Sequence, residues 1–188
     1  MHGSQLGDFI LEKPLGQGGM GAVWAGHHRR TGRPVAVKVL LHNQTRDPVW
    51  RAAFANEIRV VAGLDHPNIV ALLAQGEIPK GFAAFPAGAP YMVMERADGT
   101  LRELSGELDL RAVMQPVLAA LAHAHARGVL HRDIKPANVL VVHRNGARRL
   151  LLSDFGIAFD ERHQQAADLQ RRWGTPGYMA CLLYTSPS

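Results

Sequence analysis

The chain has 188 residues, of which 47% are hydrophobic and 20% charged. This is the balance of an ordinary globular protein with a sizeable core, so disorder is not the default expectation. The formal net charge is +5, and many of the arginines stand in short pairs rather than in one basic run. We therefore expect no nucleic-acid binding, because a basic protein that handles charged substrates is the simpler interpretation.

The amino-terminal residues and the single cysteine bear on the compartment. Residues 1–9 lack the cationic stretch and apolar segment of a secretory signal. No apolar run approaches the roughly 18 residues that span a bilayer. Cys181 is the single cysteine and cannot form an internal disulfide, which fits a reducing compartment. We expect a cytoplasmic protein with no membrane segment in this portion of the chain.

Strand and turn signals dominate the beginning of the chain. Residues 9–15 and 22–27 are predicted to form two strands, joined by the glycine-rich turn 16–21. The turn 31–34 then leads into the apolar run 35–41. These signals together predict an antiparallel meander.

A helix and two further strands are predicted next. Residues 47–64 carry apolar side chains at helical spacing, and the segment 66–68, His-Pro-Asn, ends the helix. The apolar positions are Val49, Ala53, Phe54, Ile58 and Val61. Strands are predicted at 69–73 and 91–94. Between them, residues 76–90 hold three Gly, three Pro and four Ala, and we expect a flexible, largely disordered surface insertion.

The second half of the sequence begins with a longer helical pattern. It runs over 108–127, with Gly128 as its stop and with Pro116 inside it, where we expect a kink. Its predicted core face consists of Val113, Val117, Leu118, Leu121 and His125. Short strands at 139–142 and 150–152 flank Asn145-Gly146, a strong hairpin signal. The elements indicate an α+β fold.

One pair of motifs indicates phosphoryl transfer. His131-Arg132-Asp133-Ile134-Lys135-Pro136-Ala137-Asn138 is separated by fifteen residues from Asp154-Phe155-Gly156. This spacing provides a proton acceptor, Asp133, and a phosphate-steering lysine, Lys135. Asn138 and Asp154 add one amide and one carboxylate oxygen, which suit magnesium.

The glycine-rich turn is weak evidence by itself. Gly16, Gly18 and Gly21 have a spacing that also occurs in dinucleotide-binding folds, and Val23 follows them. In those folds the glycines join a strand to a helix, whereas here they join two predicted strands, and a third carries Lys38. We therefore predict that the turn covers nucleotide phosphates.

Lys38 stands alone in an apolar strand, where an ammonium group is costly to bury unless it is paired. Glu57, on the apolar side of the following predicted helix, is the carboxylate best placed to pair with it. Such an ion pair would aim Lys38 at phosphates. The alternative is a solvated glutamate on a helix surface.

The ordered motifs between residues 9 and 180 resemble a eukaryotic-type Ser/Thr protein kinase, and Gly18-Gly19-Met20-Gly21 and 66–70 most resemble the bacterial members. The resemblance implies a bilobal kinase-like fold, with a small antiparallel-sheet lobe at about 9–95 and the start of a mainly helical lobe at about 99–180. It implies an ATP- and Mg²⁺-dependent enzyme that phosphorylates Ser or Thr of protein substrates in bacterial signalling. Lys135 and Gly174-Thr175-Pro176-Gly177-Tyr178 are of the Ser/Thr type.

The same resemblance assigns roles residue by residue. Asp133 would be the catalytic base, with Lys135, Lys38 and Glu57 also in the catalytic set. Asn138 and Asp154 would bind the metal. The nucleotide would contact Leu15, Gly16, Gly18, Gly21, Val23, Ala36, Lys38, Met94, Glu95, Ala97 and Leu140. Among these, Met94 resembles the gatekeeper, although an apolar strand residue such as Val23, Ala36 or Leu140 is more often simply part of a core.

The sequence departs from the family pattern at its end. After Met179-Ala180 the family continues with Pro-Glu, whereas here residues 181–188 read Cys-Leu-Leu-Tyr-Thr-Ser-Pro-Ser. We therefore expect an incomplete kinase domain over 9–188 whose last eight residues are a non-native tail. An inactive fragment and a nucleotide-binding pseudokinase are the alternatives, although no family lysine, base or metal ligand is lost. A small-molecule kinase would normally lack Lys135 and 174–176.

Overall fold

The computed structural model describes residues 4–18, 21–41, 45–104, 109–144 and 146–155, and the backbone of 159–160. The chain divides into two compact units. One comprises Met1–Ala62 and Val70–Ala97, and the other comprises Gly63–Ile69 and Asp98–Ser188. The chain therefore leaves the first unit after its helix and returns to it at Val70.

A six-stranded antiparallel sheet forms the first unit, in the order β1-β2-β3-β4-β6-β5. Its strands are β1 Ser4–Leu6, β2 Phe9–Gly18, β3 Gly21–His28, β4 Pro34–Val39, β5 Leu72–Glu77 and β6 Pro90–Glu95. The meander predicted from the turn signals is present as β2, β3 and β4. Strand β1, which pairs with the start of β2, was not predicted from the sequence.

The strand predicted at 69–73 is displaced along the chain. β5 begins at Leu72, whereas Ile69 belongs to the second unit and forms a parallel bridge with Leu152 there. The turn at His66 explains the shift, because the N–H of Ile69 donates to the carbonyl of His66 and holds the segment in a turn. The apolar character of residues 69–73 does not show that Ile69 belongs to the second unit whereas Leu72 begins a strand of the first.

Helix α1, Pro48–Ala62, begins as its sequence indicates. The Asp47 carboxylate accepts a hydrogen bond of 2.8 Å from the N–H of Val49, and Pro48 occupies the first helical position, where no N–H is needed. Its buried side chains are Phe54, Glu57, Ile58, Val60 and Val61. Phe54 and Ile58 pack with Leu40 and Met92 of the sheet.

The expectation of a flexible insertion at 76–90 is wrong. Ile78, Phe85 and Ala89 are buried in a cluster with Val35, Val37, Val39, Val93 and others of the sheet. Phe85 lies edge-on to Trp24 with ring centroids 5.6 Å apart, and it stacks with Phe82 at 6.1 Å. The segment therefore covers part of the first unit's hydrophobic core, and burial of these apolar side chains orders a stretch rich in Gly, Pro and Ala.

The main helix of the second unit is α2, Leu110–His125, which Asp109 caps by accepting a hydrogen bond of 2.9 Å from the N–H of Arg111. It continues through Pro116 and ends before Gly128, whose φ of 73° suits glycine. Its predicted face is partly wrong. Leu118 is 55% exposed and His125 is exposed, whereas Ala120 and Ala124 are buried beside Val113 and Val117.

Short strands complete the second unit. They are β7 Gly99–Thr100, β8 Val129–Leu130, β9 Val139–Arg144, β10 Ala147–Leu152 and β11 Phe159–Asp160. The sheet order is β10-β9-β7, and β8 pairs with β11. The predicted hairpin is confirmed, because β9 and β10 pair antiparallel with Arg144 and Ala147 as register partners. Single-turn 3-10 helices lie at Leu101–Glu103 and Pro136–Asn138.

Candidate active site

The glycine-rich turn joins β2 to β3, with Gly16 opposite Val23 and Gly18 opposite Gly21. A Cβ added to Gly16 or Gly18 would meet nothing within 4 Å, whereas a Cβ on Gly21 would lie 2.3 Å from the carbonyl oxygen of Val39. Gly21 also has φ 141°, a conformation that L-residues rarely adopt. Gly21 is therefore required by the sheet itself, while Gly16 and Gly18 leave open space above the strands.

We expect Gly21→Ala to lower the free energy of unfolding by at least about 2 kcal/mol, because it combines backbone strain with a collision against β4. Gly18→Ala, in the same turn, should change it by less than about 0.5 kcal/mol. Urea titrations of the two variants compare them directly. If both variants lost the same free energy of unfolding, the close approach of Gly21 to Val39 would not be what requires glycine at this position.

The predicted ion pair between Lys38 and Glu57 is present. Lys38 Nζ lies 2.7 Å from Glu57 Oε1 and 2.9 Å from Oε2. Both residues are buried, at 7% and 1% exposure. β4 supplies the lysine and α1 the carboxylate, so the pair also joins the sheet to its helix. A buried charge held by two hydrogen bonds has a fixed position, as a phosphate-binding ammonium group requires.

Several predicted nucleotide contacts cluster on the strands around Lys38. Val23 is its register partner on β3, and Ala36 faces Met94 across β4 and β6. Leu15 is 51% exposed on β2. All of these side chains belong to the first unit, whereas Leu140 lies half-buried on β9 in the second.

The backbone at the end of β6 differs between its two predicted contact residues. The N–H of Glu95 already donates to the carbonyl of Ala71 at 3.2 Å. Within the described part of the chain, by contrast, neither the N–H nor the carbonyl of Ala97 has a hydrogen-bond partner. Ala97 therefore retains backbone groups for a ligand.

Asp133, Lys135 and Asn138 come together in the second unit. Asp133 Oδ2 lies 2.7 Å from Lys135 Nζ and accepts a hydrogen bond of 3.0 Å from Asn138 Nδ2. The same Nδ2 donates to the backbone carbonyl of Asp133 at 2.8 Å. The 3-10 turn Pro136–Asn138 folds the segment back on itself, which brings residues five apart into contact. The result is a carboxylate oriented by two donors.

His131 holds the backbone around Asp133 in place, a role that was not predicted from the sequence. It is 1% exposed, and its Nε2 and the carbonyl of Ser153 are 2.8 Å apart. Its Nδ1 accepts a hydrogen bond of 3.3 Å from the N–H of Asp133. An imidazole that donates from Nε2 and accepts at Nδ1 is neutral, and burial lowers the pKa of His131. The backbone at Asp133 is thereby tied to the end of β10.

We expect acid to destabilise the second unit through His131. Its pKa is lowered in the folded state, so the unfolded chain takes up the proton first as the pH falls below about 6.5. The free energy of unfolding contributed by this group is therefore present above that pH and declines below it. Urea titrations at about pH 7.5 and about pH 5.5 should show this decline, and His131→Gln should reduce it. An unchanged pH dependence in the variant would contradict the assignment.

The two predicted metal ligands are Asn138 and Asp154. Asn138 is 3% exposed, and with its Nδ2 donating to Asp133, its Oδ1 accepts no hydrogen bond from any described residue. Asp154 is exposed and has φ 64°, a strained conformation at a position directly after β10 and Ser153. An amide oxygen and a carboxylate are hard ligands, so the donor set fits Mg²⁺.

Phe155 and Arg132 complete the described part of the motifs. Phe155 is fully buried, with its ring centroid 4.6 Å from that of His131. Arg132 has φ 64°, which is uncommon for a residue with a long side chain. Such strain between His131 and Asp133 indicates that the surrounding contacts determine this loop. Gly156, residues 174–178 and the tail 181–188 lie outside the described residues.

Residues 9–183 match the family described as protein kinase domain. A probable serine/threonine-protein kinase of Streptomyces coelicolor is 44% identical over 159 residues, which are 81% of this chain and 23% of that protein. Serine/threonine-protein kinase Pkn1 of Myxococcus xanthus is 39% identical over 185 residues, 95% of this chain and 26% of the relative. PknJ of Mycobacterium tuberculosis is 41% identical over 167 residues, which are 83% of this chain and 26% of that protein. The chain thus spans about a quarter of each relative's length.

Within the described residues, no helix has both the length and the apolar character needed to cross a membrane.

Proposed function

This chain belongs to the protein kinase domain family, and we propose that it transfers the γ-phosphoryl group of ATP to Ser or Thr hydroxyls of proteins in bacterial signalling. The observation that carries the proposal is the geometry of Asp133, whose carboxylate is oriented by Lys135 and Asn138. Phosphoryl transfer needs positioning and charge neutralisation more than covalent catalysis, and these residues would supply both.

Asp133 is the proposed proton acceptor for the substrate hydroxyl. Lys135, 2.7 Å from that carboxylate, would place a positive charge beside the transferring group. Lysine at this position, in the family pattern, favours Ser and Thr over Tyr as acceptors. Protein substrates are therefore the proposed partners, and nucleic acid is not among them.

The first unit would bind the nucleotide. Lys38, held by Glu57, would contact phosphates, and the open backbone at Gly16 and Gly18 would cover them. Gly21 would keep the turn in place. Within this unit, the adenine ring would contact the backbone of Glu95 and Ala97 and the side chains of Leu15, Val23, Ala36 and Met94.

Asn138 Oδ1 and the Asp154 carboxylate are the proposed magnesium ligands. The bound metal would neutralise phosphate charge. The contact from Asn138 Nδ2 to Asp133 has a second consequence, because one amide would then orient the catalytic base with its nitrogen and leave its Oδ1 for the metal. His131 would hold this arrangement through the backbone.

We further propose that the small lobe comprises about 9–95 and that the large lobe follows from about 99, that residues 181–188 are a non-native tail, and that the domain acts in the cytoplasm. Residues 181–188 depart from the Pro-Glu pattern of the family. The pseudokinase alternative is not favoured, because Lys38, Asp133, Asn138 and Asp154 are all present.

The test is transfer of labelled phosphate from γ-labelled ATP to a generic protein substrate with magnesium, followed by phosphoamino-acid analysis. We expect phosphoserine and phosphothreonine but no phosphotyrosine, and no signal without the divalent cation. Asp133→Asn is the control for contaminating kinases. Nucleotide binding by a folded chain without any transfer would support the pseudokinase alternative.

A further inference from the structure

The turn between β3 and β4 presents one threonine to solvent. The N–H of Gly32 donates to the carbonyl of His28 at 2.8 Å, and His28 Nδ1 lies 3.2 Å and 3.3 Å from the N–H groups of Arg30 and Thr31. Thr31 is exposed, and its Oγ1 accepts from the N–H of Arg33 at 3.4 Å. The turn is therefore held by its backbone and by His28, while the Thr31 hydroxyl proton is available.

Three arginines surround this hydroxyl in sequence. Arg29, Arg30 and Arg33 are exposed, and within the described residues none of their guanidinium groups has a hydrogen-bond acceptor or an ionic partner. Three unpaired cations within five residues repel one another. An anion added at Thr31 would remove that repulsion and find charged donors on both sides.

The other hydroxyls of Ser and Thr in the described residues are less suitable. Ser153 is buried, and its Oγ donates to the carbonyl of Asn138 at 3.0 Å. Thr45 and Thr100 are half-buried. Ser4 is exposed but has no arginine within twenty residues of it. In addition, residues 155–174 contain no Ser, Thr or Tyr, so the segment after Asp154 offers no acceptor there.

We propose that Thr31 is a phosphorylation site of this kinase, and that Arg29, Arg30 and Arg33 hold the phosphate. This proposal rests on the proposed function. Thr31 Oγ1 forms the new bond to the γ-phosphorus of ATP, and the bond from that phosphorus to the bridging oxygen breaks to release ADP. The hydroxyl proton passes to the carboxylate of Asp133 on the catalysing molecule.

The added group carries a charge of about −1.5 to −2 and three strong acceptor oxygens. Guanidinium groups bind phosphate by short, charge-assisted hydrogen bonds. The phosphate would therefore convert a self-repelling turn into an ion-paired one. The turn closes the β3–β4 hairpin beside the register pair His27 and Pro34, four pairs along from Val23 and Lys38, so the phosphate would stabilise the hairpin at the end away from Lys38.

The experiment incubates the purified chain with ATP and magnesium, in parallel with a generic protein substrate, and locates phosphate by tandem mass spectrometry. We expect phosphate on Thr31, none there in Thr31→Val, and an unchanged pattern at Thr31 in the control Thr45→Val. Thr31→Val should leave transfer to the generic substrate unchanged. Asp133→Asn should lose both signals.

The outcomes separate this proposal from the proposed function. Transfer to the generic substrate with no phosphate on Thr31 overturns the Thr31 site alone. Absence of transfer to both overturns the Thr31 site together with the kinase activity. Phosphate on Thr31 supports both.

A second measurement tests the arginines. Phosphorylated chain should melt about 2–4 °C above phosphatase-treated chain. The difference should disappear when Arg29, Arg30 and Arg33 are all replaced by Gln. An equal shift with and without the arginines would overturn their role in holding the phosphate.

Discussion

Asp133→Asn should reduce the rate of phosphoryl transfer by about 10²–10⁴-fold, the usual contribution of a positioned general base. Asparagine keeps an oxygen that can accept the hydrogen bond of Asn138 and contact Lys135, so the loop should hold its shape. What the amide loses is the capacity to take the proton of the substrate hydroxyl. The defect is therefore expected in kcat, with the affinity for nucleotide retained.

Initial rates with a peptide substrate, together with nucleotide affinity by fluorescence, distinguish this effect from misfolding. Asp65→Asn is the matched control, because Asp65 is exposed and outside the Asp133 cluster. The control should transfer phosphate at the wild-type rate. Turnover of Asp133→Asn within tenfold of wild type would mean that another group accepts the proton.

The parts of the fold that could be predicted from sequence are those set by local chemistry. The meander follows from the glycine-rich turn 16–21 and the turn 31–34, which connect its three strands. The β9–β10 hairpin follows from Asn145-Gly146. Asp47-Pro48 gives α1 its start, because a carboxylate and a residue without an N–H satisfy the first helical turn. In each case the interactions that decide the structure lie within a few residues.

The predictions of the fold were wrong where contacts between residues far apart in the sequence determine the structure. The composition of 76–90 indicated flexibility, but Ile78, Phe85 and Ala89 find partners on the strands of the first unit. Two phenylalanines in so short a segment were the available signal, since aromatic side chains are strong contributors to a core. On α2, Ala120 and Ala124 are buried, whereas Leu118 and His125 are exposed. The periodicity of apolar residues does not show whether a helix packs on its neighbours through small or through large side chains.

In the candidate site, too, one contact could be predicted from the sequence and another could not. The Lys38–Glu57 pair was predictable because an ammonium in an apolar strand needs a carboxylate. The support that His131 gives to Asp133 was not, because it depends on the carbonyl of Ser153, twenty-two residues away, and on the backbone turn at Arg132. Residue type alone does not reveal which backbone atoms a histidine will contact.

The ion pair of the first unit provides the second large effect. Lys38→Met should lower the free energy of unfolding by about 3–5 kcal/mol, because it leaves the Glu57 carboxylate buried without its partner. Glu57→Leu should cost a similar amount by stranding the ammonium. The double variant buries neither charge, and replacement of a buried pair by apolar residues is often close to neutral.

Stability and activity should therefore separate in this cycle. The double variant should recover most of the free energy of unfolding in urea titrations, yet it should remain inactive, since no ammonium group is left to bind phosphate. Glu77→Ala, which removes the exposed pair with Arg51 at 2.8 Å, is the matched control and should cost less than about 1 kcal/mol without loss of transfer. If the double variant regained activity along with stability, Lys38 and Glu57 would be structural residues, and the phosphate-binding role would pass to another cation.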